Sequence, residues 1–154
     1  SGEVESSLRE LGLRVVRRSK LPIAMENAGV LLVDVTGELR DWYSLATVVF
    51  VGKSMPGVAQ VGGQNPAEAA LLEKPVIVGP HMENFATLIA HLRERDAVVQ
   101  VDAEPELRDA IVALLHDRER RREMGMRGRG ALEAHRGATI RTLELIRQLP
   151  QSAA

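Results

Sequence analysis

The chain has 154 residues, the size of one ordinary domain able to bury roughly 70 % of the surface its unfolded form exposes. With 45 % hydrophobic residues, 27 % charged residues and a net charge of -1, it reads as a soluble globular protein, neither disordered nor fibrous. It has no cysteine, which excludes disulfides and thiolate metal sites. Arginines gather at Arg17 and Arg18 and at Arg118, Arg120, Arg121 and Arg122, but acidic residues stand beside them and the aromatics are one Trp, one Tyr and two Phe. That is the pattern of a solvated helix face, and no nucleic-acid partner is expected. No apolar run approaches the ~18 residues of a membrane span, so a soluble fragment is expected. The opening Ser1-Gly2-Glu3, without methionine, suggests a tag remnant on residues 1–2 joined to a piece of a longer protein.

In chain order, a helical piece from Glu5 to Leu11 precedes a short strand from Leu13 to Val16. Gly29 to Asp34 is aliphatic, β-branched and bounded by turn residues, which marks a buried strand. Glu38 to Ala46 has helical spacing, with Leu39, Trp42, Tyr43 and Ala46 at i, i+3, i+4 and i+7. Thr47 to Gly52 is the next strand, and Lys53 to Gly63, with three glycines and a proline, is a loop. Asn65 to Leu72 is helical, Lys74 to Gly79 a strand, Asn84 to Arg93 a helix, Ala97 to Val101 a strand and Pro105 to Leu115 a helix. A charged helix from Arg118 to Ala134, weakened by Gly125, Gly128 and Gly130, then precedes a terminal helix from Ala138 to Leu149 with Ile140, Leu143 and Ile146 on one face. This alternation predicts an α/β fold, a Rossmann-like parallel sheet with helices on both faces, in a single domain over residues 1–154.

Open parallel sheets bind ligands past the carboxyl ends of their strands, where helix N-termini favour anions. Two junctions carry suitable residues. At Thr36-Gly37-Glu38, Thr36 serves as a cap and Glu38 complements the helix dipole, or else Gly37 and the amides after it hold a phosphate. In Gly62-Gly63-Gln64-Asn65-Pro66-Ala67-Glu68, a capping box accounts for Asn65, Pro66 and Glu68. It leaves Gly62 and Gly63 unexplained, and paired glycines let the backbone take positive φ and let a ligand come close. His81, His91, His116 and His135 do not stand at metal-ligand spacing, so no metal is expected. Ser54 is an ordinary loop hydroxyl by this reading, since no serine sits in a nucleophile elbow.

The string as a whole resembles the lipid A Kdo transferase family, where Kdo is 3-deoxy-D-manno-octulosonic acid. The residues that carry the likeness are Arg18-Ser19, Val33 to Leu39, Tyr43, Leu45-Ala46, Phe50 to Gly52, Gly62 to Ala70, Lys74 to Val76, Gly79-Pro80-His81 and Asn84-Phe85. The resemblance implies the C-terminal half of a GT-B glycosyltransferase, a nucleotide-sugar-binding domain that takes the CMP part of CMP-Kdo and needs no cofactor. Donor contacts would come from Thr36, Gly37 and Glu38 and from Asn65, Pro66, Ala67 and Glu68, with Glu68 on the ribose and Gly62, Gly63 and His81 as further candidates. One carboxylate accepting both ribose hydroxyls suits that role. The family's catalytic glutamate belongs to an N-terminal domain, so no catalytic residue is expected in this chain, and the fragment alone is expected to be inactive. The partners implied are that N-terminal domain and a lipid A precursor acceptor, at the cytoplasmic face of the bacterial inner membrane. Departures from the family pattern are Lys53 in place of a glycine, a longer spacer from Met55 to Val61, and Gln64 in place of a histidine. Two alternatives remain open: a related transferase or epimerase using a UDP-sugar, and a non-catalytic interaction domain of the same fold.

Overall fold

In a computed structural model, residues 2–21, 29–57 and 62–148 are described, with side chains through residue 134. The chain forms two compact units, Ser1–Leu39 and Arg40–Ala154. In the first, helix α1 (Gly2–Glu10) precedes strand β1 (Val15–Arg17), which pairs in parallel with β2 (Val30–Leu32) in the register Val15 to Val30 and Arg17 to Leu32. Glu5 on α1 takes Arg9 on its own helix and Arg17 at the end of β1, and so ties helix to strand.

In the second unit, strands β3 (Val49–Val51), β4 (Val76–Val78) and β5 (Val98–Gln100) form a parallel sheet in that order. Helix α2 (Leu39–Leu45) leads into β3, α3 (Ala67–Leu71) stands between β3 and β4, and α4 (Ala86–Arg93) between β4 and β5. Helices α5 (Glu104–His116) and α6 (Arg118–Gln148) follow. The central strand shows why helices cover both faces. Side chains alternate along a strand, so Val76 and Val78 face Ala69, Ala70, Ile89 and Leu92 of α3 and α4, while Ile77 faces Leu114 and Met124 of α5 and α6. All three residues of β4 are fully buried, as its uninterrupted Val-Ile-Val run requires. The predicted α/β architecture is thus present, carried by a two-stranded and a three-stranded parallel sheet.

The C-terminal region differs from the expectation. One continuous helix, α6, replaces the two helices separated after Ala134. The intervening residues contain no proline, and a lone glycine costs a helix only about 1 kcal/mol, too little to break it. The face formed by Ile140, Leu143 and Ile146, and the end at Leu149, lie outside the described side chains and residues. The glycines of α6 are also more than weak points. A Cβ on Gly125 would overlap the Glu73 carbonyl oxygen, and one on Gly128 would lie 3.5 Å from Ala70 Cβ. They let α6 lie close against α3 and the turn that follows it.

The arginine-rich start of α6 serves local structure. Arg121 Nη1 donates to the carbonyls of Leu114 and Leu115 (2.5 and 2.7 Å), in the last turn of α5, and Arg122 pairs with Glu119. Cations at a helix C-terminus satisfy its last carbonyls and its dipole.

Candidate functional site

Past the carboxyl ends of β1 and β2, two segments far apart in sequence meet. Arg18 Nε and Nη2 donate to Glu38 Oε2 and Oε1, both at 2.9 Å, a bidentate pair. Ser19 Oγ and its amide donate to Asp34 Oδ2 and Oδ1 at 2.7 and 3.0 Å, with Arg17 Nη1 3.6 Å from the same carboxylate. The Ser19 hydroxyl, then the Ser19 amide, hold the Asp34 carboxyl below its ordinary range, and Arg17 adds to the effect. Thr36 and Gly37 are exposed at the tip of this junction, and Gly37 has φ 90°. Because α2 begins at Leu39, Glu38 rather than Thr36 stands just before the helix, which corrects the assignment of Thr36 as its cap. Glu38 is committed to Arg18, so its part here is to position the loop as well as to carry charge.

The second junction lies past the ends of β3 and β4. Ser54 is completely buried; its hydroxyl donates to the Val51 carbonyl (2.6 Å) and accepts the Gly79 amide (2.9 Å). Its carbonyl accepts the His81 amide at 3.0 Å, and a Cβ on Gly79 would overlap that carbonyl. Gly63 N–H donates to the Lys53 carbonyl (3.0 Å), and Asn84 N–H to the Gly62 carbonyl (3.3 Å). Gly62 and Gly63 have φ 113° and 77°; a Cβ on Gly62 would lie 2.5 Å from Asn84 Nδ2, and one on Gly63 would overlap Met82 Sδ. Close packing and positive φ therefore explain the glycine pair without a ligand. Of the loop from Lys53 to Gly63, residues 58–61 lie outside the described residues.

Asn65 acts as the expected cap: its Oδ1 accepts the Ala67 amide at 3.0 Å, and buried Pro66 already has helical dihedrals (φ -83°, ψ -11°). Glu68 does not close the box. Its exposed carboxylate lines a groove of about 550 Å³ with Arg40, Leu71, Leu72, Arg129 and Glu133. Burial, and then the Glu68 charge, raise the Tyr43 phenol above its ordinary value. His81 is half-buried, its Nδ1 3.0 Å from Glu83 Oε1; Glu83 is lowered by its own backbone amide and then by His81. In the second unit Gly62, Gly63 and His81 come together past the ends of β3 and β4 and Asn65, Pro66 and Ala67 follow at the start of α3, whereas Glu68 lines the groove with Arg129 and Glu133. The amides of Gly63, Ala67, Gly79 and His81 are bonded within the chain, and exposed Glu68 offers a carboxylate acceptor. The buried link through Ser54 was missed in the sequence, where a serine between Lys53 and Met55 in a loop carries no signal of burial.

No family model matches the chain. Two 3-deoxy-D-manno-octulosonic acid transferases, from Haemophilus influenzae and Bordetella pertussis, are 34% and 37% identical to it over 145 and 150 residues, each match covering 94% of this chain and 33% of the relative. A solved structure described as the C-terminal CMP-Kdo binding domain of WaaA from Acinetobacter baumannii matches with a TM-score of 0.79 at 30% identity, over 85% of this chain and 67% of that one. The chain belongs to the 3-deoxy-D-manno-octulosonic acid transferase family. It spans about a third of the length of the curated Kdo transferases it matches, and its fold is that of the C-terminal domain. Within the Kdo transferase pattern, the position where the resemblance calls for a second glycine after β3 is filled by Lys53, which keeps a glycine-like left-handed backbone (φ 58°).

Proposed function

We propose that this chain is the donor-binding part of a Kdo transferase, holding CMP-Kdo while a second domain presents a lipid A precursor. The likeness to a domain described as binding CMP-Kdo, at 30% identity and a TM-score of 0.79, carries this reading. The donor residues belong to the proposal as two separate sets: Thr36, Gly37 and Glu38, and Asn65, Pro66, Ala67 and Glu68, with Gly62, Gly63 and His81 as further candidates. Direct displacement at the anomeric carbon needs a base for the acceptor hydroxyl and donors for the departing phosphate. This chain supplies the second of these, with no cofactor, and the base comes from the other domain. Among the described residues no helix is long and apolar enough to cross a membrane, and the proposed place of work is the cytoplasmic face of the inner membrane, reached through the rest of the enzyme.

Titration of the chain with CMP and with UMP, followed by calorimetry, tests the reading. CMP preference is expected. UMP preference would move the chain to UDP-sugar chemistry, and silence toward both would leave a non-catalytic interaction domain. With CMP-Kdo and lipid acceptor the chain alone is expected to transfer no sugar.

A further inference from the structure

Three non-glycine residues among those described have left-handed backbones: Lys53 (φ 58°), Glu73 (φ 57°) and Asp96 (φ 50°). Two have an ordinary cause. After α3, Lys74 N–H donates to the Ala69 carbonyl (3.1 Å) and Glu73 N–H to that of Ala70 (3.0 Å). After α4, Ala97 N–H donates to Leu92 (2.9 Å) and Asp96 N–H to Arg93 (3.0 Å). This is the helix-closing pattern that asks for a left-handed residue.

Lys53 closes no helix. It follows β3 in a turn locked on both sides: its own carbonyl accepts Gly63 N–H at 3.0 Å, and the next residue is Ser54, buried and bonded to Val51, Gly79 and His81. The surroundings therefore dictate a backbone shape that glycine or asparagine would adopt at lower cost than lysine. The residue is exposed, past the carboxyl end of β3, on the edge of a parallel sheet where ligands bind. A lysine kept at a left-handed position in that place points to a role for its side chain. A lysine ammonium is a point charge on a flexible stem, suited to phosphate and carboxylate oxygens.

We infer that Lys53 recognises the donor, its ammonium contacting an anionic oxygen of the bound nucleotide sugar, on the phosphate or on the sugar carboxylate. This rests on the donor-binding reading above. The test uses the chain with K53G and K53R, titrated with freshly prepared CMP-Kdo, CMP and cytidine. K53G should bind CMP-Kdo about tenfold more weakly, while K53R stays near wild type. K53G should melt at or above the wild-type temperature, because the left-handed cost is relieved. Equal weakening toward CMP assigns the contact to the phosphate, and unchanged CMP binding assigns it to the carboxylate; cytidine binding should not change. Wild-type affinity of K53G for CMP-Kdo overturns the assignment and leaves the donor-binding reading intact. Wild-type silence toward CMP-Kdo, CMP and cytidine overturns that reading itself.

Discussion

At the scale of single residues, Ser54 and Glu68 are opposites. Ser54 is wholly buried and its hydroxyl joins the Val51 carbonyl to the Gly79 amide. Ser54→Ala leaves both groups buried without a partner, which costs about 1–3 kcal/mol. Urea unfolding should show a lower midpoint with an unchanged slope. Glu68 is exposed, and Asn65 rather than Glu68 holds the start of α3. Glu68→Ala should therefore leave the unfolding free energy within about 0.5 kcal/mol of wild type. If it reads the ribose, the same change lowers CMP affinity by about ten- to hundredfold, that is 1.5–3 kcal/mol of charge-assisted bonding. Wild-type affinity in this variant, measured well below its melting point, would remove Glu68 from the site. Its advantage should also shrink with 2′-deoxy CMP, which lacks one of the two hydroxyls.

At the scale of elements, α6 carries glycines of different kinds. Spacing alone marks Gly125, Gly128 and Gly130 as equal losses of helix propensity. Packing separates them: Gly125 is buried against the Glu73 carbonyl, whereas nothing lies within 4 Å of a Cβ at exposed Gly130. Gly130→Ala should stabilise the chain by about 0.5–1 kcal/mol through helix propensity. Gly125→Ala gains the same propensity but forces α6 away from the α3 turn, and should destabilise by about 1–3 kcal/mol net. Thermal unfolding of the two variants, monitored by circular dichroism, should give shifts of opposite sign. Shifts of the same sign would mean that α6 does not press on that turn.

At the scale of the whole molecule, stability should respond to acid in a defined direction. Glu5 is lowered by Arg9 and then Arg17, Asp34 by Ser19, Glu83 by its own amide and then His81, and Glu119 by Arg122. These carboxyls bind protons less readily when folded than when unfolded, where they titrate near pH 4. Their contribution is therefore complete above the unfolded values and is lost as pH falls through the folded ones. The melting temperature should hold level from about pH 7 to 5 and fall below about pH 4. A rise on acidification would mean that these pairs are not formed.

The sequence by itself determined the order of strands and helices, the parallel class of the sheet and the family, because these follow from local patterning and from motifs read in line. Gly62 to Glu68 and Gly79 to Phe85 were visible as a pattern before any geometry was known. Only the tertiary structure decided what those residues do. The glycine pair has its positive φ because the chain must pass Asn84 and Met82, Glu38 is held by Arg18 twenty residues earlier, and Ser54 is buried between two strand ends. Each of these depends on a partner distant in sequence, and periodicity and capping rules, which see only neighbours along the chain, carry no trace of it.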